Sequence, residues 1–209
     1  MNNNIIKFYM LANKLKNEIR TGWTELGIKA ARLESIAEHI YGELVLAIAI
    51  DSEIKFDIDM LKVFKMLILK EFSKIDGKEY TTTAHLSEEE KANIAITNVA
   101  KITSNLVKKD EYFELLNELK DLDSDEAKFA YQISKVEADL QTKIYDLNGD
   151  FDLDKAIEDA KNYPEQLKTE IVPQIKNASD GFILYDRTLL LDDLFKSLSY
   201  DIANLTDDD

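Results

Sequence analysis

Two polar residues stand where a helix would ordinarily place apolar ones. Around residues 56–75, Phe64, Leu67 and Ile75 share one side of a helical wheel; Glu71 lies among them and Lys70 on their flank. Between Ser35 and Ile50, His39 falls in line with Leu46 and Ile50 rather than on a polar stripe. A carboxylate withdrawn from water is costly unless it is paired or hydrogen-bonded. Two arrangements account for the pattern. His39 and Glu71 share one polar pocket at the centre of a bundle, or each is separately satisfied, His39 as a core histidine and the long side chains by reaching outward at a helix edge.

Other chemistries are excluded by residue type. The chain has no cysteine, which rules out disulfides, thiolate zinc and iron–sulfur sites. Its two histidines cannot build a three-histidine metal site. Asp150, Asp152 and Asp154 alternate like the start of a calcium loop, but the required glycine and final glutamate are missing. They read as turn and cap residues, and His85 reads as a loop residue near a helix start.

The elements that must position these groups are helices. The 209 residues carry 26 Lys plus Arg against 41 Asp plus Glu, a formal charge of -15, with 45% hydrophobic residues and 6 Gly. That is too apolar for a disordered acidic chain and long enough for one large core. So negative a surface repels free nucleic acid and anionic lipid, and no apolar run approaches the roughly 20 residues of a membrane span. MNNNIIKFYM lacks a signal-peptide pattern and reads as a cytoplasmic start.

Apolar spacing predicts a helix over residues 3–19 ended by Thr21 and Gly22, then a connecting segment over 23–32. Ser35 with Glu38 forms a capping-box signature for a central helix reaching Ile50. Further helices are predicted over 56–72, from Ser87 to Val107, over 110–119, and from Ser124 or Asp125 to Leu147. The last of these carries a stripe of Phe129, Ile133, Val136, Leu140 and Ile144. After the turn Asn148-Gly149-Asp150, helices are predicted over 154–162, 164–177 with Pro164 in the first turn, and 188–200. The expectation is one all-α domain over 1–209, with a core over 1–147, a C-terminal helical extension over 148–200 and an acidic tail over 201–209.

Arg20-Thr21-Gly22-Trp23, followed by Leu33-Glu34-Ser35-Ile36-Ala37-Glu38-His39, resembles the opening of the HD-domain phosphohydrolases, closest to their 5'-deoxynucleotidase-like branch. The similarity continues through Met66–Lys78 and resumes at Glu126-Ala127-Lys128-Phe129 and Ile133–Glu137, covering about residues 5–147 in the family's order. The resemblance implies an HD-domain-like helical bundle with additional C-terminal helices, and makes His39 a metal ligand. It also exposes departures. The family's His-Asp pair falls on Lys70 and Glu71, its next acidic positions on Lys74 and Lys78, and its last aspartate on Ser134.

These departures imply a degenerate, metal-free pseudoenzyme without a cofactor. The Lys70 ammonium would replace the cation and pair with Glu34, Glu38 or Glu71. A partner from the central helix is favoured, because adjacent helix positions do not face each other. Binding of a nucleoside monophosphate or another small phosphate would remain, through Arg20, Trp23, Lys74 and Lys78. The alternative is a working phosphohydrolase in which His39 and Glu71, with Glu34 or Glu38, hold Mn, Co or Mg, and Asp76 substitutes for a displaced acid. A third reading is a structural or regulatory interaction module. Homodimerisation is expected from the relatives.

Overall fold

A computed structural model of the chain describes residues 2–75 and 88–206. Eleven α-helices account for nearly all regular structure among the described residues, which contain no strand beyond one isolated bridge, Ile19 with Ser35. The all-α expectation holds. The helices are α1 (Asn2–Ala12), α2 (Thr21–Glu25), α3 (Ile36–Asp51), α4 (Met60–Glu71), α5 (Glu88–Thr103), α6 (Lys109–Asp121), α7 (Asp125–Leu147), α8 (Leu153–Ala160), α9 (Glu165–Ile171), α10 (Asp180–Arg187) and α11 (Asp193–Ala203). None of the described helices is long and apolar enough to cross a membrane.

The chain divides into two compact units. The first contains residues up to Thr21 together with Glu34–Ile133; the second contains Gly22–Leu33 and the residues from Ser134 onward. The division falls inside α7.

In the first unit, α3 begins where the sequence signals it. The Ser35 hydroxyl accepts from the Glu38 amide, and the Glu38 carboxylate accepts from the Ser35 amide at 2.9 Å. Both bonds satisfy donors that a helix start leaves unpaired. A strand-like pairing fixes the approach to this cap: Arg20 N donates to Glu34 O and Ile36 N donates to Glu18 O. Asp59 caps α4 by accepting from the Lys62 amide, so α4 begins after the predicted Phe56. Val63, Met66 and Leu67 are fully buried on α4, in the two turns before Glu71. Ser124 accepts from the Ala127 amide and starts α7.

The second unit is built around Trp23, Ile28, Ala138, Tyr145, Phe151, Ala156 and Ala178. Two of its turns are alike. Gly27 and Gly149 both have φ of 73°, and in each turn the following residue donates back to the carbonyl five positions earlier, Ile28 to Trp23 and Asp150 to Tyr145. This left-handed close suits glycine because it lacks a Cβ.

Several boundaries differ from expectation for local reasons. The first helix tightens into a 3-10 turn over Asn13–Lys16, and Thr21 and Gly22 begin α2 instead of ending α1. Pro164 precedes α9 with extended ψ of 140° instead of lying in its first turn. Pro173 falls in the 3-10 turn that ends that helix. Helix α10 was unforeseen. The Asp180 carboxylate accepts from the Lys176 and Asn177 amides and orders its entry. On α7 the predicted stripe ends early: Ile144 is 46% exposed, and Tyr145 is buried in its place. The residues Asp76, Lys78, His85 and Ser87 lie outside the described residues.

Candidate metal centre

The site is assembled within the first unit from α3 and α4. His39 and Glu43 are four residues apart on α3, a spacing that puts two side chains on one face. Glu71, the last residue of α4, meets them. All three are buried: His39 is 1% exposed, Glu43 0% and Glu71 3%. His39 Nε2 lies 3.1 Å from Glu43 Oε1 and 4.0 Å from Glu71 Oε1. One ligand atom from each residue falls within 4.8 Å of the other two.

Cationic groups surround this acidic centre. Lys70 Nζ is 2.6 Å from Glu43 Oε1 and 3.0 Å from Glu71 Oε1. Lys74 Nζ lies 2.7 Å from Glu71 Oε2. Arg20 donates to Glu34 Oε2 at 3.2 Å, and the same guanidinium nitrogen is 3.2 Å from His39 Nδ1. A guanidinium only donates, so in this arrangement Nδ1 accepts and Nε2 carries its hydrogen toward Glu43.

The electrostatics follow from burial and these contacts. Burial raises the Glu43 pKa, but His39 and Lys70 outweigh it and hold the carboxyl below its ordinary value. Glu71 is likewise pushed up by burial and then held well below the usual range by Lys74, Lys70 and His39. Burial lowers Lys70, and Glu43 and Glu71 reverse the sign and raise it. The centre is therefore ionised: two carboxylates and an ammonium.

One imidazole nitrogen and two carboxylates form a donor set suited to a borderline or hard divalent ion. Three protein ligands that leave coordination positions open are the pattern of catalytic sites, not structural ones. Glu43 Oε2 is buried and has no hydrogen-bond partner, so it retains lone pairs directed within the protein interior. On these observations the residues fit a divalent cation. A cation on Nε2 requires the tautomer with its proton on Nδ1, and hence an Arg20 turned fully to Glu34.

This corrects the expectation of a dismantled metal site, and with it the expectations of no cofactor and no enzyme activity. That reading found only two surviving ligands, His39 and Glu71, by following the family's positions. Glu43 stands outside those positions and supplies the third. The signal was available: a histidine and a glutamate four apart, both on an apolar helix, share a face.

The other predicted residues are placed as follows. Lys70 does pair with the central helix, through Glu43, and it also reaches its neighbour Glu71. Glu34 pairs with Arg20, and Glu38 closes the α3 cap. Lys74 is brought to Glu71. Trp23 belongs to the second unit, where it is 2% exposed and packs edge-on to Tyr145 at 5.6 Å. Ser134 also belongs to the second unit.

Comparison with known proteins bears on the family and the fold. A family model described as HD domain matches residues 12–176. The chain is 27% identical over 150 residues to the 5'-deoxynucleotidase HDDC2 of Dictyostelium discoideum, covering 68% of this chain and 78% of that protein. It is 28% identical over 157 residues to the 5'-deoxynucleotidase hdd1 of Schizosaccharomyces pombe, covering 71% and 77%. Among solved structures, a conserved hypothetical protein from Pyrococcus furiosus superposes with a TM-score of 0.58 at 25% identity, over 82% of this chain and 98% of that one. A protein from Magnetospirillum magnetotacticum, described as a predicted metal-dependent phosphohydrolase, gives 0.57 at 16% identity over 97% and 94%, a likeness of fold alone.

Proposed function

This chain belongs to the HD-domain family and is related to its 5'-deoxynucleotidase branch, and from that premise we propose that it is a metal-dependent phosphohydrolase acting on nucleoside 5'-monophosphates. The observation that carries the proposal is the buried convergence of His39, Glu43 and Glu71. These three residues would hold a divalent cation such as Mn, Co or Mg. When bound, such an ion polarises a phosphoryl oxygen and makes a nucleophile of water near neutral pH.

The chain's own residues supply the rest. Glu34 holds the Arg20 guanidinium, and so remains its partner when metal on Nε2 places the His39 proton on Nδ1. Lys70 and Lys74 bring positive charge to a centre within an otherwise acidic protein. Ammonium groups are competent point-charge partners for phosphate, so both lysines serve to attract and orient the monophosphate. Burial of the carboxylates keeps competing water from their oxygens and strengthens each electrostatic contact. We place the activity in the cytoplasm, the compartment in which such substrates are made and consumed.

The test is phosphate release from deoxynucleoside monophosphates by chelator-stripped protein, with and without Mn²⁺, Co²⁺ or Mg²⁺. Turnover restored by one of these ions, and lowered about 100-fold or more in His39→Ala, is the expected result. Equal turnover with and without metal, or none under any condition, contradicts the proposal.

A further inference from the structure

The ammonium of Lys70 occupies the same carboxylates that the metal-dependent reading needs. Its Nζ contacts Glu43 Oε1 at 2.6 Å and Glu71 Oε1 at 3.0 Å, so one cation bridges both acidic ligands. His39 Nε2 shares Glu43 Oε1 with it. The Lys70 side chain is 20% exposed while Glu43 is fully buried and Glu71 nearly so. The lysine thus has its head group at the acids while part of its side chain remains accessible.

We propose that Lys70 is a built-in competitor for the divalent ion, neutralising the buried carboxylates when no metal is present and setting the metal concentration at which the site loads. This inference rests on the metal-site reading above and adds its regulation. An ion on either oxygen of Glu43 would lie close to the Nζ that contacts Oε1, and two positive charges that near one another in a buried site repel strongly. Loading therefore requires Lys70 to leave, and the cost of breaking both contacts is subtracted from metal affinity. Its departure is feasible because the stem is flexible and part of the side chain already reaches solvent. A ligand that binds one of two states shifts the balance only by its differential affinity, so weakening the ammonium-bound state must tighten metal binding.

The experiment compares wild type with Lys70→Gln and Lys70→Met. Mn²⁺ affinity is measured by calorimetry, and thermal melts are recorded with and without Mn²⁺. Both variants are expected to bind Mn²⁺ about tenfold more tightly than wild type. Each should melt lower than wild type in chelator yet gain more from added Mn²⁺. Glutamine keeps most of the length and a donor, so it remains folded if methionine does not. Affinities within twofold of wild type, or a smaller Mn²⁺-induced rise, overturn the inference. Turnover by wild type is read in parallel: tighter Mn²⁺ binding in the variants with no wild-type turnover supports competition and removes the hydrolase reading. Unchanged affinity beside intact wild-type turnover does the reverse.

Discussion

The two units bury acidic groups in opposite ways. In the first, Glu43 and Glu71 are surrounded by an imidazole and two ammonium groups, and both are held ionised. In the second, Asp139 on α7 is 0% exposed, with the Ser199 side chain beside it. Its neighbour Asp186, on α10, takes the nearby Lys135 ammonium at 3.4 Å. Burial first, then the Asp186 charge, raises the Asp139 pKa well above its ordinary value; Ser199, Lys135 and Arg187 oppose this only in part. The contrast separates two fates of a buried acid. With a counter-charge in contact it remains an anion, able to hold a cation. Without one its carboxyl is pushed toward the protonated form, which offers little to a metal.

Removing the counter-charge from the first unit is the strongest way to break this contrast. Lys70→Met in metal-free buffer leaves fully buried Glu43 without its ammonium partner and Glu71 with Lys74 alone. A loss of about 3–5 kcal/mol is expected, read from urea denaturation. A loss below about 1 kcal/mol would show that Lys70 behaves as an ordinary surface ion pair, and the two units would then differ less than their geometry suggests.

A smaller effect sharpens the contrast from the other side. Because the folded-state pKa of Asp139 is raised, folding favours its protonated form. Its contribution is intact below the ordinary carboxylate range and is lost as pH rises from there through the raised folded value. Asp139→Asn mimics the protonated form. It should therefore stabilise the protein by about 1–2 kcal/mol at neutral pH and by almost nothing at low pH, flattening the stability–pH curve over that window. A variant less stable than wild type at neutral pH would mean that Asp139 is an ionised, satisfied group after all.

The same comparison shows what the sequence made legible. Caps and period carried most of the fold: Ser35 with Glu38, Asp152 on α8 and the long apolar face of α7 all sit at or near their predicted positions. Short elements set by side-chain-to-backbone bonds escaped. Helix α10 depends on Asp180, and on Asp146 accepting from the Ala178 and Ser179 amides from 32 and 33 residues away. Such distant bonds leave no local pattern. Two of the three candidate ligands were visible, because His39 and Glu71 violate the apolar period of their helices. Glu43 was hidden among the exposed and buried residues of a helix that is apolar on most sides, where a wheel gives little direction. Lys70 was visible on the flank of its helix, but its double contact with Glu43 and Glu71 comes from the meeting of α3 and α4.

Glu43 is the residue on which the account turns, and its role is measurable without activity. Titration of Mn²⁺ into chelator-stripped wild type and Glu43→Gln, followed by calorimetry, addresses it directly. The account predicts one ion bound per wild-type chain and an affinity about 10–100-fold weaker in the variant. Equal affinity in the two proteins, or no binding to wild type, would contradict it.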